Sequence, residues 1–332
     1  MGYDQIEEVA VAAPTAGPGR ANRLGPVMRV GIPIPGGRIL QAARQAGYKV
    51  LFSANAFMVR NKEGEVVSVR KPDPRQFAGL DAALDSAGFV AMSRYRGFPW
   101  TIDQYLDLVE SWPWTWYASW DQCVEPEIAS SKIDVLFRLA ETCRLLTEVR
   151  MQARDRGLPD PTPILQGWEV DHYRWSLDHL PLASWPKLLG VGSMCRRQVH
   201  GPNGILAVVD ALDRELPPGV GLHLFGVKGD ALRFLSDHPR ITSCDSMAWD
   251  FSARRQHPTG RTAEKRIGVM HEWVRRNAGQ LSLPKVPYAL QLFEEPSEEA
   301  SAELAEWLEL VVDNQTDASS AWHHCMRTWI GG

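Results

Sequence analysis

The sequence predicts an α/β protein built as a (β/α)8 TIM barrel, and three observations carry that expectation. From Met28 onward, short apolar runs alternate with amphipathic stretches, the pattern of parallel strands joined by crossover helices. About eight such runs in roughly 300 residues suit a barrel better than an open doubly wound sheet. The fingerprint of a dinucleotide-binding sheet is missing, since GVGSMC at 190–195 does not continue into G-x-G-x-x-G and no acid is placed for a ribose. The chain also lacks a Walker A sequence and any short-period repeat.

Residues 1–27 are rich in Ala, Gly and Pro, show no period, and read as a flexible arm or irregular lead-in. Residues 28–332 read as one barrel with a helical cover at its end. MRVGIPI is the first strand, with GRILQAARQAG as its helix, and YKVLFSAN is the second. AALDSAGFVAM is the third, followed by the helix TIDQYLDLVESW. WTWYASWD reads as the fourth, its alternating tryptophans burying one face, before the long helix SSKIDVLFRLAETCRLLTEVRMQARD. TPILQG, KLLGVGS and GLHLFGV precede the helical patterns HYRWSLDHLP, GILAVVDALDREL and DALRFLSDHP, and RITSCDS is the last strand. Near the end, an acidic stretch leads into an amphipathic helix whose Leu304, Trp307, Leu308 and Val311 face covers the barrel or meets a partner.

Composition narrows the function. The chain of 332 residues is 44% hydrophobic and 23% charged, ordinary for a folded soluble protein. With 36 Lys plus Arg against 40 Asp plus Glu, its net charge of -4 excludes a globally basic nucleic-acid binder but leaves room for a local basic face. No apolar run approaches the ~20 residues that cross a bilayer, and no charged-then-apolar leader opens the sequence, so a cytoplasmic protein without a membrane partner is expected. The cysteines (Cys123, Cys143, Cys195, Cys244, Cys325) are scattered, odd in number and free of Cys-x-x-Cys, which argues against a disulfide framework or a four-cysteine zinc site.

In a barrel the C-terminal ends of the strands share one mouth. Those positions carry Asn55, Asp85, Asp121, Gln166, Gly190 with Gly192, Gly226 and Asp245. Three acids, an amide and glycines suit a flat hydrogen-bonding heterocycle: carboxylates accept from amino and ring N–H groups, and the amide serves a carbonyl. One acid is then available as a nucleophile at a sugar carbon. A strand-end Asp standing alone is equally a helix cap or turn residue.

The segments around these residues resemble the tRNA-guanine transglycosylase superfamily, whose members exchange guanine for a 7-deazaguanine on a (β/α)8 barrel. LDSAGFVAMS (84–93) resembles D-S-G-G-F-Q-V-M-S, with Ala87 for the first glycine; WDQCVEP (120–126) resembles the D-E-C segment, with Gln122 for Glu. ILQG (164–167) matches V-Q-G, GVGS (190–193) the glycine pair, and LHLFGVKGDAL (222–232) the L-M-G-V-G-x-P-x-D-L element. SCDSMAWDFSAR (243–254) resembles F-D-C-x-x-P-T-R-x-x-R, with Asp250 displacing the earlier arginine and Arg254 keeping the later one. The resemblance implies that Asp245 is the nucleophile and Asp85 the acid that shuttles the base's proton. It further implies that Asp121 and Gln166 read the guanine edge, that Gly190 or Gly192 supplies a backbone donor, and that Phe89 and Phe225 sandwich the base. The residue types fit: a carboxylate can trap the oxocarbenium-like state at C1′, and a second acid beside it has a separated pKa that suits proton transfer.

The family's Cys-x-Cys-x-x-Cys plus His zinc site is missing; His323, His324 and Cys325 are adjacent and lack further ligands, so no metal is expected. Its absence and the short chain shift the resemblance toward the DpdA-like branch that places deazapurines into DNA, with tRNA as the alternative substrate. Basic clusters support a polynucleotide: Arg94 and Arg96, Arg196 and Arg197, and Arg254, Arg255 and Arg261 all follow strand ends, where phosphates would lie. A solvated face is the plainer reading of such clusters. Trp100 and Trp249 occupy candidate mouth loops and are candidates to stack on a flipped base. The expected activity is DNA-guanine exchange with a preQ0-type base as co-substrate and no cofactor. Homodimerisation and DNA-modification partner proteins are further expectations; a catalytically silent nucleic-acid-binding subunit and a nucleoside hydrolase are the competing classes.

Overall fold

The computed structural model describes residues 26–195, 197–236 and 238–281, without the side chains of Asp230 and residues 278–281. Residues 1–25 of the expected 1–27 arm, the C-terminal helical cover, Arg196 and the His323–Cys325 cluster lie outside the described residues, while Val27 already belongs to the first strand.

Seven parallel strands form one sheet: β1 (Val27–Gly31), β2 (Val50–Ser53), β5 (Ala82–Asp85), β6 (Ile164–Leu165), β7 (Leu188–Val191), β8 (Gly221–Leu224) and β9 (Ile241–Ser246), in the order β5-β2-β1-β9-β8-β7-β6. Val50, Phe52, Leu84, Leu189, Leu222 and Leu224 are all buried, because a parallel sheet covered by helices hides both faces. A separate antiparallel hairpin, β3 (Met58–Arg60) and β4 (Val66–Val69), follows β2 and was not foreseen.

The helices are α1 (Gly37–Gln45), α2 (Pro74–Phe77), α3 (Gly88–Val90), α4 (Ile102–Glu110), α5 (Lys132–Asp155), α6 (Val170–Asp178), α7 (Ile205–Glu215), α8 (Leu232–Leu235), α9 (Ala248–Gln256) and α10 (Ala263–Leu281). Each long one begins where the sequence supplies a cap or a period. Thr101 and Gln104 form a reciprocal capping box for α4, and the Ser131 hydroxyl caps α5. In α1 the buried Ile39, Leu40 and Ala43 give the helical spacing that turns one face to the sheet. No described helix is long and apolar enough to cross a membrane.

The fourth expected strand, WTWYASWD, is not a strand of the sheet. Residues 115–119 make only isolated parallel bridges, Leu84 with Tyr117 and Ala118 with Thr162, which touch the β5 edge on one side and the approach to β6 on the other. The sheet is curled. Trp116, beside β5, brings its ring to 4.7 Å from His223 and 6.1 Å from Phe225 at the far half of the strand order. Below it, buried Arg29 of β1 bonds Asp81 at 2.8 Å, and Asp81 accepts from Thr115 at 2.6 Å.

Candidate active site

Asp85 closes β5 and Asp245 lies near the end of β9, so the parallel sheet delivers both carboxylates to the same edge. Asp121 and Gln166 follow the bridging segment and β6. The four do not stand alone. Ser86 Oγ donates to Asp121 Oδ1 at 2.5 Å, Gln166 Nε2 donates to Asp121 Oδ2 at 2.5 Å, and Ser193 Oγ donates to Gln166 Oε1 at 2.8 Å. The relay fixes the Gln166 amide, nitrogen toward the acid and oxygen toward the hydroxyl. A ligand is left the second N–H of Gln166 and the remaining lone pairs of Asp121. Burial pushes the Asp121 carboxyl up to about 6, with the bonds from Ser86 and Gln166 opposing. Asp85 accepts from the Ala87 backbone N–H at 3.0 Å. Its pKa is raised well above the usual range, first by burial and then by the charges of Asp121 and Asp245, which favours its protonated form.

Asp245 is held asymmetrically. Its Oδ1 accepts from the Gly226 N–H at 3.0 Å and lies 3.3 Å from His223 Nε2, while Oδ2 has no partner among the described residues. Gly226 adopts φ +69°, and a Cβ there would stand 2.5 Å from Cys195 Cβ, so only glycine brings this N–H to the acid. Fully buried His223 has its pKa lowered, with desolvation as the main cause. The neutral ring then donates from Nε2 to Asp245 and accepts at Nδ1 from Ser243 Oγ, 2.8 Å away. Sequence reasoning missed His223. The available signal was an imidazole between two leucines of a strand, two residues before Phe225.

Gly190 and Gly192 are close to the relay but not as donors. Their N–H groups are committed to Pro163 O and Leu165 O, each at 2.9 Å, in the ladder with β6. The lack of side chains is what matters there. A Cβ on Gly192 would lie 2.2 Å from Gln166 Nε2, and one on Gly190 would lie 2.6 Å from the Phe225 ring. Gly88 plays the same part for Asp121, whose oxygens would be 2.6–2.8 Å from an added Cβ. Among the described residues, the non-glycine positions in the left-handed region are Ala87, Arg96 and Ser193, all in loops that follow β5 and β7. Strain gathered beside candidate site residues is a mark of functional loops.

Phe225 is half-buried, its ring edge-on to His223 at 4.5 Å; Phe89 is half-buried on α3. Arg94 is exposed in the π-helical turn Ala91–Tyr95 that continues α3, 5.6 Å from the Tyr95 ring centre, Arg96 is exposed as that turn's C-cap, and Arg255 and Arg261 are exposed beyond the β9 end. Arg254 pairs with buried Asp250 at 3.1 Å, and Arg266 takes the other oxygen at 2.6 Å. Arg197 is a correction: it is 3% exposed, and its guanidinium bonds the carbonyls of Gly167, Trp168, Ser193 and Asn203 and the Tyr173 hydroxyl. With its donors turned inward it clasps loops instead of meeting phosphate. Trp249 is likewise fully buried and bonds Gly31 O at 2.9 Å, so it is core and not a base wedge.

No curated protein matches this chain. The model of the DpdA family, DeoxyPurine in DNA protein A, matches residues 65–292, more than half of the sequence and every strand-end residue from Asp85 to Asp245. The chain belongs to the DpdA family.

Proposed function

We propose that this protein is a DNA-guanine transglycosylase that exchanges guanine in DNA for a 7-deazaguanine of the preQ0 type through a covalent Asp245–C1′ intermediate. Membership of the DpdA family supports a DNA-modifying enzyme of the transglycosylase type. The observation that carries the finer reading is the asymmetry of Asp245, one oxygen held by two donors and the other unpartnered among the described residues, in the field of a carboxyl with a raised pKa.

Asp245 Oδ2 forms a bond to C1′ as the C1′–N9 bond breaks, and the electron pair leaves with guanine. Protonated Asp85 supplies the proton the departing base needs. The incoming 7-deazaguanine returns its N9 proton to Asp85, its nitrogen attacks C1′, and Asp245 is released with configuration retained. One C1′–N bond is broken and one is formed at unchanged oxidation level, so the exchange calls for no cofactor and no redox step. Asp121 and Gln166 recognise the base edge, and Phe89 and Phe225 supply stacking faces worth about 1–3 kcal/mol per base. Within this reading the ring is closed, residues 115–119 taking the eighth strand's place of a (β/α)8 barrel; the two isolated bridges support it.

The test is a denaturing gel of the full chain with a guanine-containing DNA oligonucleotide and, in parallel, an RNA hairpin. A covalent adduct on DNA that Asp245→Asn abolishes is the expected result. An adduct on RNA alone would return the assignment to tRNA, and none on either would favour a silent binding subunit.

A further inference from the structure

We infer that Arg60, walled by Tyr95 and Trp100, is the anchor of an anion subsite that holds a phosphodiester of the strand beside the target nucleotide; the inference rests on the transglycosylase reading. Arg60 ends β3, in the hairpin that no sequence signal announced. Its guanidinium carbon lies 4.7 Å from the Tyr95 ring centre and 5.8 Å from that of Trp100, and its Nη2 donates to Asn55 Oδ1 at 2.8 Å. Arg60 forms no ion pair among the described residues. Other half-buried arginines here do find carboxylates, as Arg138 does with Asp134 and Arg266 with Asp250.

Arg60 Nε and Trp100 Nε1 are buried donors with no hydrogen-bond partner among the described residues, and so are Trp120 Nε1 on the far side of Phe98 and the Ser53 hydroxyl at the end of β2. Trp100 and Trp120 are only 3% and 6% exposed, and Phe98 joins them, stacked on Trp120 at 4.0 Å and edge-on to Trp100 at 5.5 Å. Native proteins seldom leave such groups unmatched. A permanent cation between aromatic faces, with a spare N–H and an indole N–H close by, matches an acceptor-rich anion.

The place fits a nucleic acid. Ser53, which ends β2 ahead of the hairpin, pairs in register with Asp85, and Tyr95 and Trp100 lie on the stretch that runs on from Asp85, so adjacent strand ends connect the subsite to the general acid. A nucleotide whose C1′ meets Asp245 carries a phosphate on either side, and this proposal seats one of them at Arg60. Exposed Arg94 and Arg96 continue the basic rim outward.

The experiment is fluorescence anisotropy of a labelled single-stranded, guanine-containing DNA with the full chain over a range of KCl. Removing one phosphate contact should reduce the slope of log K against log salt by about 0.7, so Arg60→Gln should show that loss and Arg60→Lys should keep most of the slope. Thermal unfolding checks that each variant is folded. As a measurement that needs no substitution at Arg60, single methylphosphonate linkages placed around the guanine should weaken wild-type binding at one flanking position, with inorganic phosphate competing weakly. A wild-type slope in Arg60→Gln, or no sensitive linkage, overturns the subsite while leaving the enzyme assignment intact. A wild-type chain that binds no DNA overturns the transglycosylase reading and the subsite with it.

Discussion

His223 offers the sharpest view of how single residues set up the proposed nucleophile, Asp245. Its Nε2–H and the Gly226 N–H both converge on Asp245 Oδ1, leaving the other oxygen without a partner among the described residues. A hydrogen bond to a charged group contributes about 1.5–3 kcal/mol. His223→Leu should therefore slow adduct formation by roughly ten- to a hundred-fold, since each 1.36 kcal/mol is a factor of ten. His223→Gln, which can donate from a similar place, should recover part of the rate, and base affinity should be unchanged in both. Single-turnover quench kinetics would decide; a wild-type rate for His223→Leu would mean that Gly226 alone holds the acid. The strand-end acids were legible because a parallel sheet sends its strand ends to one edge. His223 was not, because Asp245 lies 22 positions away and only the register of β8 against β9 brings them together.

Among elements, the loops after β6 and β7 are joined by Arg197, whose role the sequence misrepresented. A basic residue after a strand end looks the same whether it reaches outward to phosphate or inward to carbonyls. Here four backbone carbonyls and the Tyr173 hydroxyl bind it, and Trp168 faces it at 4.6 Å. Arg197→Met would leave buried carbonyls unmatched, each costing about 1–3 kcal/mol, so it should lower stability by at least about 3 kcal/mol. It should leave the salt slope of DNA binding in the surviving folded protein unchanged. Thermal unfolding with anisotropy across a salt series checks both, and a shallower slope would reinstate phosphate contact. Helices α1, α4, α5, α6 and α7 were legible from their amphipathic period, but α9 and α10 were not, because the arginine-rich stretch over 253–266 reads as a loop. The β3–β4 hairpin was not, because its strands of three and four residues are only half-buried, with Val67 and Ser68 exposed, and do not stand out from a loop.

At the scale of the whole molecule, the acids that equip the mouth also tax the fold. Asp121 titrates in the folded chain at about 6, above its ordinary 3.8, and Asp85 is raised in the same direction. Between about pH 4 and pH 6 the folded state keeps a proton on Asp121 that the unfolded chain has released. That contribution is present at low pH and is lost as pH rises through about 6. The melting temperature should accordingly carry a downward component across that window, and Asp121→Asn should flatten it. Melting curves from about pH 4 to pH 8 give the answer; parallel profiles for variant and wild type would count against it. The fold class was legible as alternation, and the curled parallel sheet bears out that much. The segment 115–119 escaped because its tryptophans read as an ordinary strand face, while Trp116 turns inward onto His223 and Phe225.

That inward turn gives the sheet a floor. Trp116, His223 and Phe225 meet one another, and Arg29 lies 5.7 Å from the Trp116 ring centre beneath them. In the proposed exchange, both bases use the one seat above this floor. The outgoing and incoming bases of an exchange must use it in turn, so the first has to clear before the second can enter. Kinetically, this is a turnstile: substitution in two half-reactions, with each base acting as a competitor for the seat that the other vacates.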